Sequence, residues 1–111
     1  MDDKDKKVIV RIIEHGESII SETKDLKNAE NFKNNNTKSK SALFDLLQIG
    51  ELAKDGLSKG FIEDNIDIPW KNIYALRNRI VHGYAYVDYE IIWETIKKDI
   101  PELVKKLKSR I

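Results

Sequence analysis

The 111-residue chain contains no cysteine, which excludes disulfides and thiolate-bound metals. It has two histidines, His15 and His82, so a zinc site would have to recruit carboxylates, and no metal or other cofactor is expected. No apolar run approaches the roughly 18 residues that read as a membrane span, which leaves a membrane off the list of expected partners. The opening "MDDKDKKVIV" starts acidic and lacks a cleavable signal pattern, so the cytoplasm is the expected location. A strong charge of one sign is absent too. Twenty Lys+Arg against nineteen Asp+Glu leave a formal net charge of +1, which gives no global attraction to nucleic acid. Any contact with RNA must come from local patches.

What is present reads as helix. With 41% apolar and 35% charged residues, residues 1–111 fit one small domain that buries roughly 65% of its unfolded surface. From Asp5 to about Leu26, Val8, Ile9, Ile12, Ile13, Ile19 and Ile20 recur at three- and four-residue spacings, the signature of an amphipathic helix. Lys27 to Lys40 breaks that periodicity with Asn, Lys, Ser and Thr, and predicts a polar connection with one buried anchor, Phe32. Thr37 or Ser39 is the expected cap of a second helix, whose apolar face is Ala42, Leu43, Leu46, Leu47, Ile49 and Leu52. Gly50 within it suits close helix packing, at a cost of about 1 kcal/mol relative to Ala. "FIEDNIDI" predicts one helical turn. A third helix opens at Pro69 and should end near Gly83 in a left-handed cap. Asp88 is the expected N-cap of a fourth, "YEIIWETIKKDI", and Pro101 should kink or restart it. With no alternating strand pattern, the fold class is all-α, an antiparallel bundle of four to five helices.

The third helix carries the unusual residues. At about 100° per residue, Ile73, Leu76 and Ile80 cluster as a core stripe and His82 falls almost opposite them. Asn78, four residues earlier, shares the face of His82, and Arg77 flanks the stripe. Were the helix to continue, Tyr84 would return to the face of Arg77. A fixed cation, a titratable base, an amide and a phenol thus sit in one short segment. The structural alternative is a solvated face with His82 near a helix C-terminus, where its charged form favours the dipole. His15 has no partner in its sequence neighbourhood and reads as a surface residue. Trp70 and Trp93 read as packing anchors, and "KKLKSR" as the solvated side of the last helix.

The run "IPWKNIYALRNRIVHGYAYVDYEIIWETIKKDIPEL", Ile68 to Leu103, resembles HEPN-domain proteins of the HepT-like (DUF86) type. The matching features are the Pro-Trp opening, the Arg-x4-His-x-Tyr core at Arg77, His82 and Tyr84, the following Asp88, and the Trp93 to Pro101 spacing. "LLQIGELAK", Leu46 to Lys54, resembles the second helix of the same family. The resemblance implies a homodimeric HEPN bundle that acts as a metal-independent endoribonuclease, the toxin of a HEPN/MNT (type VII) toxin–antitoxin pair. It assigns catalysis to Arg77, His82 and Asn78 at a shared cleft. It further implies neutralisation by a partner MNT-type nucleotidyltransferase that transfers AMP to Tyr84. Chemically the set is sufficient, since RNA supplies its own 2′-hydroxyl nucleophile and needs only proton transfer and positive charge at the phosphate. Two other readings stay open: a non-catalytic helical module that serves a partner nucleotidyltransferase, and a purely structural dimerising bundle.

Overall fold

The computed structural model describes residues 1–111 and contains helices and turns with no strand. Helix α1, Asp3–Thr23, is capped by Asp2, whose carboxylate accepts the Asp5 N–H at 2.7 Å. Its stripe of Ile9, Ile12, Ile13 and Ile19 is buried, as the spacing requires. Asp5 is buried as well, and it accepts the backbone N–H of Ser58 at 2.8 Å and its hydroxyl at 2.6 Å. These bonds satisfy the carboxylate and tie the start of α1 to the middle of the chain.

Residues 27–40 are not the expected connection. They form helix α2, Ala29–Asn34, and the first turn of α3, Asn36–Glu51. The caps are Asn28, which accepts the Asn31 N–H at 2.8 Å, and Asn35, which accepts the Lys38 N–H at 3.1 Å. Thr37 and Ser39 already lie inside α3. Asparagine interrupts the apolar period yet is among the best N-caps, so the polar run starts two helices. Phe32 is the expected anchor: it has no exposed surface and packs against Tyr89 and Trp93 at centroid distances of 5.9 and 5.8 Å.

Helix α3 buries Ala42, Leu43, Leu46 and Ile49 and winds into a π turn at Leu52–Gly56. A short α4, Lys59–Asp64, is capped by Ser58. Helix α5, Trp70–Gly83, follows Pro69, and Trp70 fixes its start by donating Nε1–H to the Asn65 carbonyl at 3.0 Å and by packing on Phe61. Gly83 has φ of −146°, so it is not a left-handed cap; the helix tightens into a 3₁₀ turn at Tyr84–Tyr86. Asp88 caps α6, Tyr89–Glu94, accepting the N–H groups of Glu90 at 2.9 Å and Ile91 at 3.4 Å. A π turn at Thr95–Asp99 leads into α7, Ile100–Lys108, and the Ile100 N–H bonds back to the Thr95 carbonyl. That wider turn just ahead of Pro101 accommodates the proline ring, and the helical path runs through it.

In the assembled bundle α1 lies between α3 and α7, α2 rests on α6, and α5 packs on α3 and the π turn after it. His15 is not a partnerless surface residue: its Nδ1 lies 2.8 Å from Asp45 Oδ1 across the α1–α3 contact. No helix is long and apolar enough to cross a membrane. Helix α5 is the least enclosed of the long helices. Only Trp70 and Ile80 on it are buried, and a cleft of about 430 Å³ opens between α5 and the α6–α7 arm, lined by Ile73, Leu76, Ile91, Thr95 and Leu103.

Candidate active site

Helix α5 carries Lys71, Arg77 and Arg79 and no acidic residue, so these cations lie on the same helix as the motif. The core stripe differs in depth from the expected one: Ile80 is buried, whereas Ile73 and Leu76 are half-buried beside the cleft. With one side of the helix seated on α3, the rest of its circumference is open.

The structure separates Arg77 from His82. Five residues apart, they stand about 140° apart around the helix axis. Arg77 turns toward α3. Its Nε–H donates to Glu51 Oε1 at 2.9 Å, Nη2 lies 2.7 Å from the same oxygen, and Nη1–H donates to Asn78 Oδ1 at 2.8 Å. The stem of Arg77 passes directly over Gly50, where an added methyl would overlap its Cβ and Cγ. Gly50 therefore serves the close packing expected of it, and the group packed there is the arginine itself.

His82 is exposed and lines a second cleft of about 430 Å³ together with Arg79, Tyr86, Val87 and Asp88. Asn78 shares its side of the helix, but the Asn78 carbonyl is engaged by Arg77 rather than by the imidazole. Tyr84 begins the 3₁₀ turn and is 48% exposed, and Tyr86 is 91% exposed. Tyr74, earlier on the helix, is partly buried, and that burial raises its phenol above the ordinary value. Because the α-helix stops at Gly83, Tyr84 does not return to the face of Arg77 by helical continuation.

Two residues outside the expected set belong to this region. Glu51 holds the guanidinium, and nothing in local spacing announces it, since it lies 26 positions before Arg77. Arg79 borders both clefts; its position three residues before His82 is the signal that could have found it. In chemical terms, the region presents an oriented guanidinium, an accessible imidazole and a second free cation on one helix. That combination suits an anionic ester whose reaction needs proton transfer.

Comparison with known proteins gives concordant matches. A family model described as "Ribonuclease HepT-like" matches residues 10–110. Over 106 residues the chain is 34% identical to "Putative RNase MJ0125" of Methanocaldococcus jannaschii, covering 96% of this chain and 90% of that one. It is 49% identical over 61 residues to "Putative RNase TTE0752" of Caldanaerobacter subterraneus subsp. tengcongensis, a match that spans 55% of this chain and about half, 54%, of that protein. A 61-residue match at 34% identity to "Probable ribonuclease HepT" of Thermococcus cleftensis likewise covers 55% of this chain and 54% of that protein. No solved structure matches the chain.

Proposed function

The chain belongs to the ribonuclease HepT-like family, and from that premise we propose that it is a metal-independent endoribonuclease, the toxin half of a toxin–antitoxin pair. The observation that carries this reading is the state of α5, where Arg77 is held by Glu51 and Asn78 while His82 stands exposed on an uncovered side. Cleavage proceeds by attack of the RNA 2′-oxygen on the adjacent phosphorus, with His82 taking the 2′-hydroxyl proton. The 5′-oxygen leaves and receives a proton from a second imidazole. Arg77 stabilises the charge that grows on the phosphorane, for which its planar donor fork is better shaped than an ammonium. Asn78 braces that fork and leaves its own amide N–H groups for the phosphate. The products are a 2′,3′-cyclic phosphate and a 5′-hydroxyl. Incubating the purified protein with RNA in EDTA and mapping the ends tests this, since 3′-hydroxyl and 5′-phosphate ends would overturn it.

The reading requires two copies. One chain holds a single exposed imidazole on α5, about 140° around the helix from its arginine, so the acid and base are both supplied only when a second α5 faces the first. The open side offers an apolar foothold for this at Ile91, which lines both clefts and is 44% exposed. A two-fold dimer burying roughly 1,200–2,000 Å² is expected. Light scattering at micromolar protein should give twice the chain mass of 12.9 kDa; a monomer there would remove the shared cleft.

Regulation is by a partner nucleotidyltransferase of the MNT type acting on Tyr84. The phenolic oxygen attacks the α-phosphorus of ATP, pyrophosphate leaves, and the phenolic proton passes to a base of the partner. The adduct places a bulky anionic phosphodiester on the turn that follows the motif helix, where it blocks RNA by charge and volume. Tyr86 is the control, because it is the more exposed phenol of the two. If accessibility alone decided, Tyr86 would be modified first. Peptide mass spectrometry after co-expression with the partner should instead find the adenylate on Tyr84, and Tyr84→Phe should escape neutralisation. Adenylate confined to Tyr86 would refute the assignment.

A further inference from the structure

The contact between α3 and α5 at Gly50, Glu51 and Arg77 does more than join two helices. An exposed arginine on a helix samples many rotamers, and each binding event must then restrict it. Here three constraints act on one side chain. Gly50 has no Cβ, so the stem of Arg77 lies against the α3 backbone surface. Glu51 Oε1 sits 2.9 Å from Nε and 2.7 Å from Nη2, and Asn78 Oδ1 holds Nη1 at 2.8 Å. The partners are also screened from solvent more than an ordinary surface pair, with side-chain exposures of 21% for Arg77 and 34% for Glu51. The guanidinium has five N–H donors, and those not directed at Glu51 or Asn78 remain on Nη1 and Nη2.

We propose that Glu51, seated next to the Gly50 floor, is the positioning residue that pre-orients Arg77 toward the scissile phosphate. This rests on the nuclease reading above. A carboxylate beside a phosphate-binding arginine weakens ground-state attraction for RNA. Its benefit is geometric: the orientation is set on folding, before substrate arrives, and misplacement of about 1 Å costs on the order of 100-fold in rate. Loss of Glu51 should therefore separate rate from binding, lowering kcat while KM stays the same or falls. A carboxylate that only stabilised the fold would not produce that split.

The experiment compares Glu51→Ala, Glu51→Gln and Arg77→Ala, singly and as Glu51→Ala/Arg77→Ala, in the full chain with a short RNA. Glu51→Ala should lower kcat about 10–100-fold with no rise in KM. Glu51→Gln keeps an acceptor oxygen and should retain most of kcat. In the Arg77→Ala background, Glu51→Ala should have no further effect, because the group it orients is gone. Equal losses in both backgrounds, or faster cleavage by Glu51→Ala, would overturn the proposal. A second readout does not depend on activity: the arginine Nε–H resonance of Arg77, assigned by its loss in Arg77→Ala, should be exchange-protected in the wild type and Glu51→Gln and unprotected in Glu51→Ala. If the wild-type protein cleaves no RNA, the nuclease reading fails. The proposal falls as well if that resonance is unaltered in Glu51→Ala, whereas its loss supports the cradle independently.

Discussion

Replacing His82 by alanine should reduce RNA cleavage about 10²–10⁴-fold, the range that a positioned general acid or base supplies. The fold should survive, because His82 is exposed and lies outside the core stripe, and surface substitutions typically change stability by within about 0.5 kcal/mol. An unchanged thermal melt beside a collapsed rate is the expected pair of results. Arg77→Ala should cost about 10²–10³-fold in rate, as for the loss of one charge-stabilising donor, with a small loss of stability since it leaves Glu51 without its partner. In the proposed two-copy mechanism the proton donor and acceptor need opposite protonation states. Cleavage should therefore follow a bell-shaped pH profile that EDTA does not alter. A folded His82→Ala protein that cleaves at the wild-type rate would eliminate the mechanism.

The largest effect on stability is expected at Phe32. This residue has no exposed surface, and its ring meets Tyr89 and Trp93 on the far side of the sequence. Truncation to alanine leaves a cavity where three aromatic rings converged, and such changes cost about 3–5 kcal/mol. At about 4–8 °C per kcal/mol for a domain near 100 residues, Tm should fall by about 12–40 °C. A loss under about 1 kcal/mol in urea unfolding would show that α2 is not part of the cooperative core. Because α2 and α6 meet through this ring, the same change should loosen the turn that carries Tyr84 and Tyr86 before it reaches the α1–α3 contact.

Much of this molecule is written in short-range chemistry. The isoleucine stripe of α1, the apolar face of α3, the start of α5 after Pro69 and the Asp88 cap all depend on residues within about one turn of one another, so spacing alone identifies them. Phe32 was legible as an anchor for a related reason, being the one large apolar residue in a polar run. Family membership was legible too, through the Arg-x4-His-x-Tyr pattern within its longer matching context. The helical state of residues 27–40 was harder to see, because asparagine at Asn28 and Asn35 looks like a loop residue until its side chain is found bonded to the next turn. The end of α5 departs from the left-handed cap expected at Gly83 because glycine permits such a cap without requiring one.

Local spacing dictates the all-α class, the core-facing stripes and the helix that carries the arginine, the amide and the histidine. Their partners depend on how the helices pack. His15 pairs with Asp45 over 30 positions and Arg77 with Glu51 over 26, separations at which no helical period applies. Helical periodicity tells which way a side chain faces, and what it meets there depends on how the other helices pack. The exposed side of α5 was settled in the same way: it carries Asn78, Arg79 and His82, and it stays open because α3 takes one side and the α6–α7 arm lies across a cleft from the other.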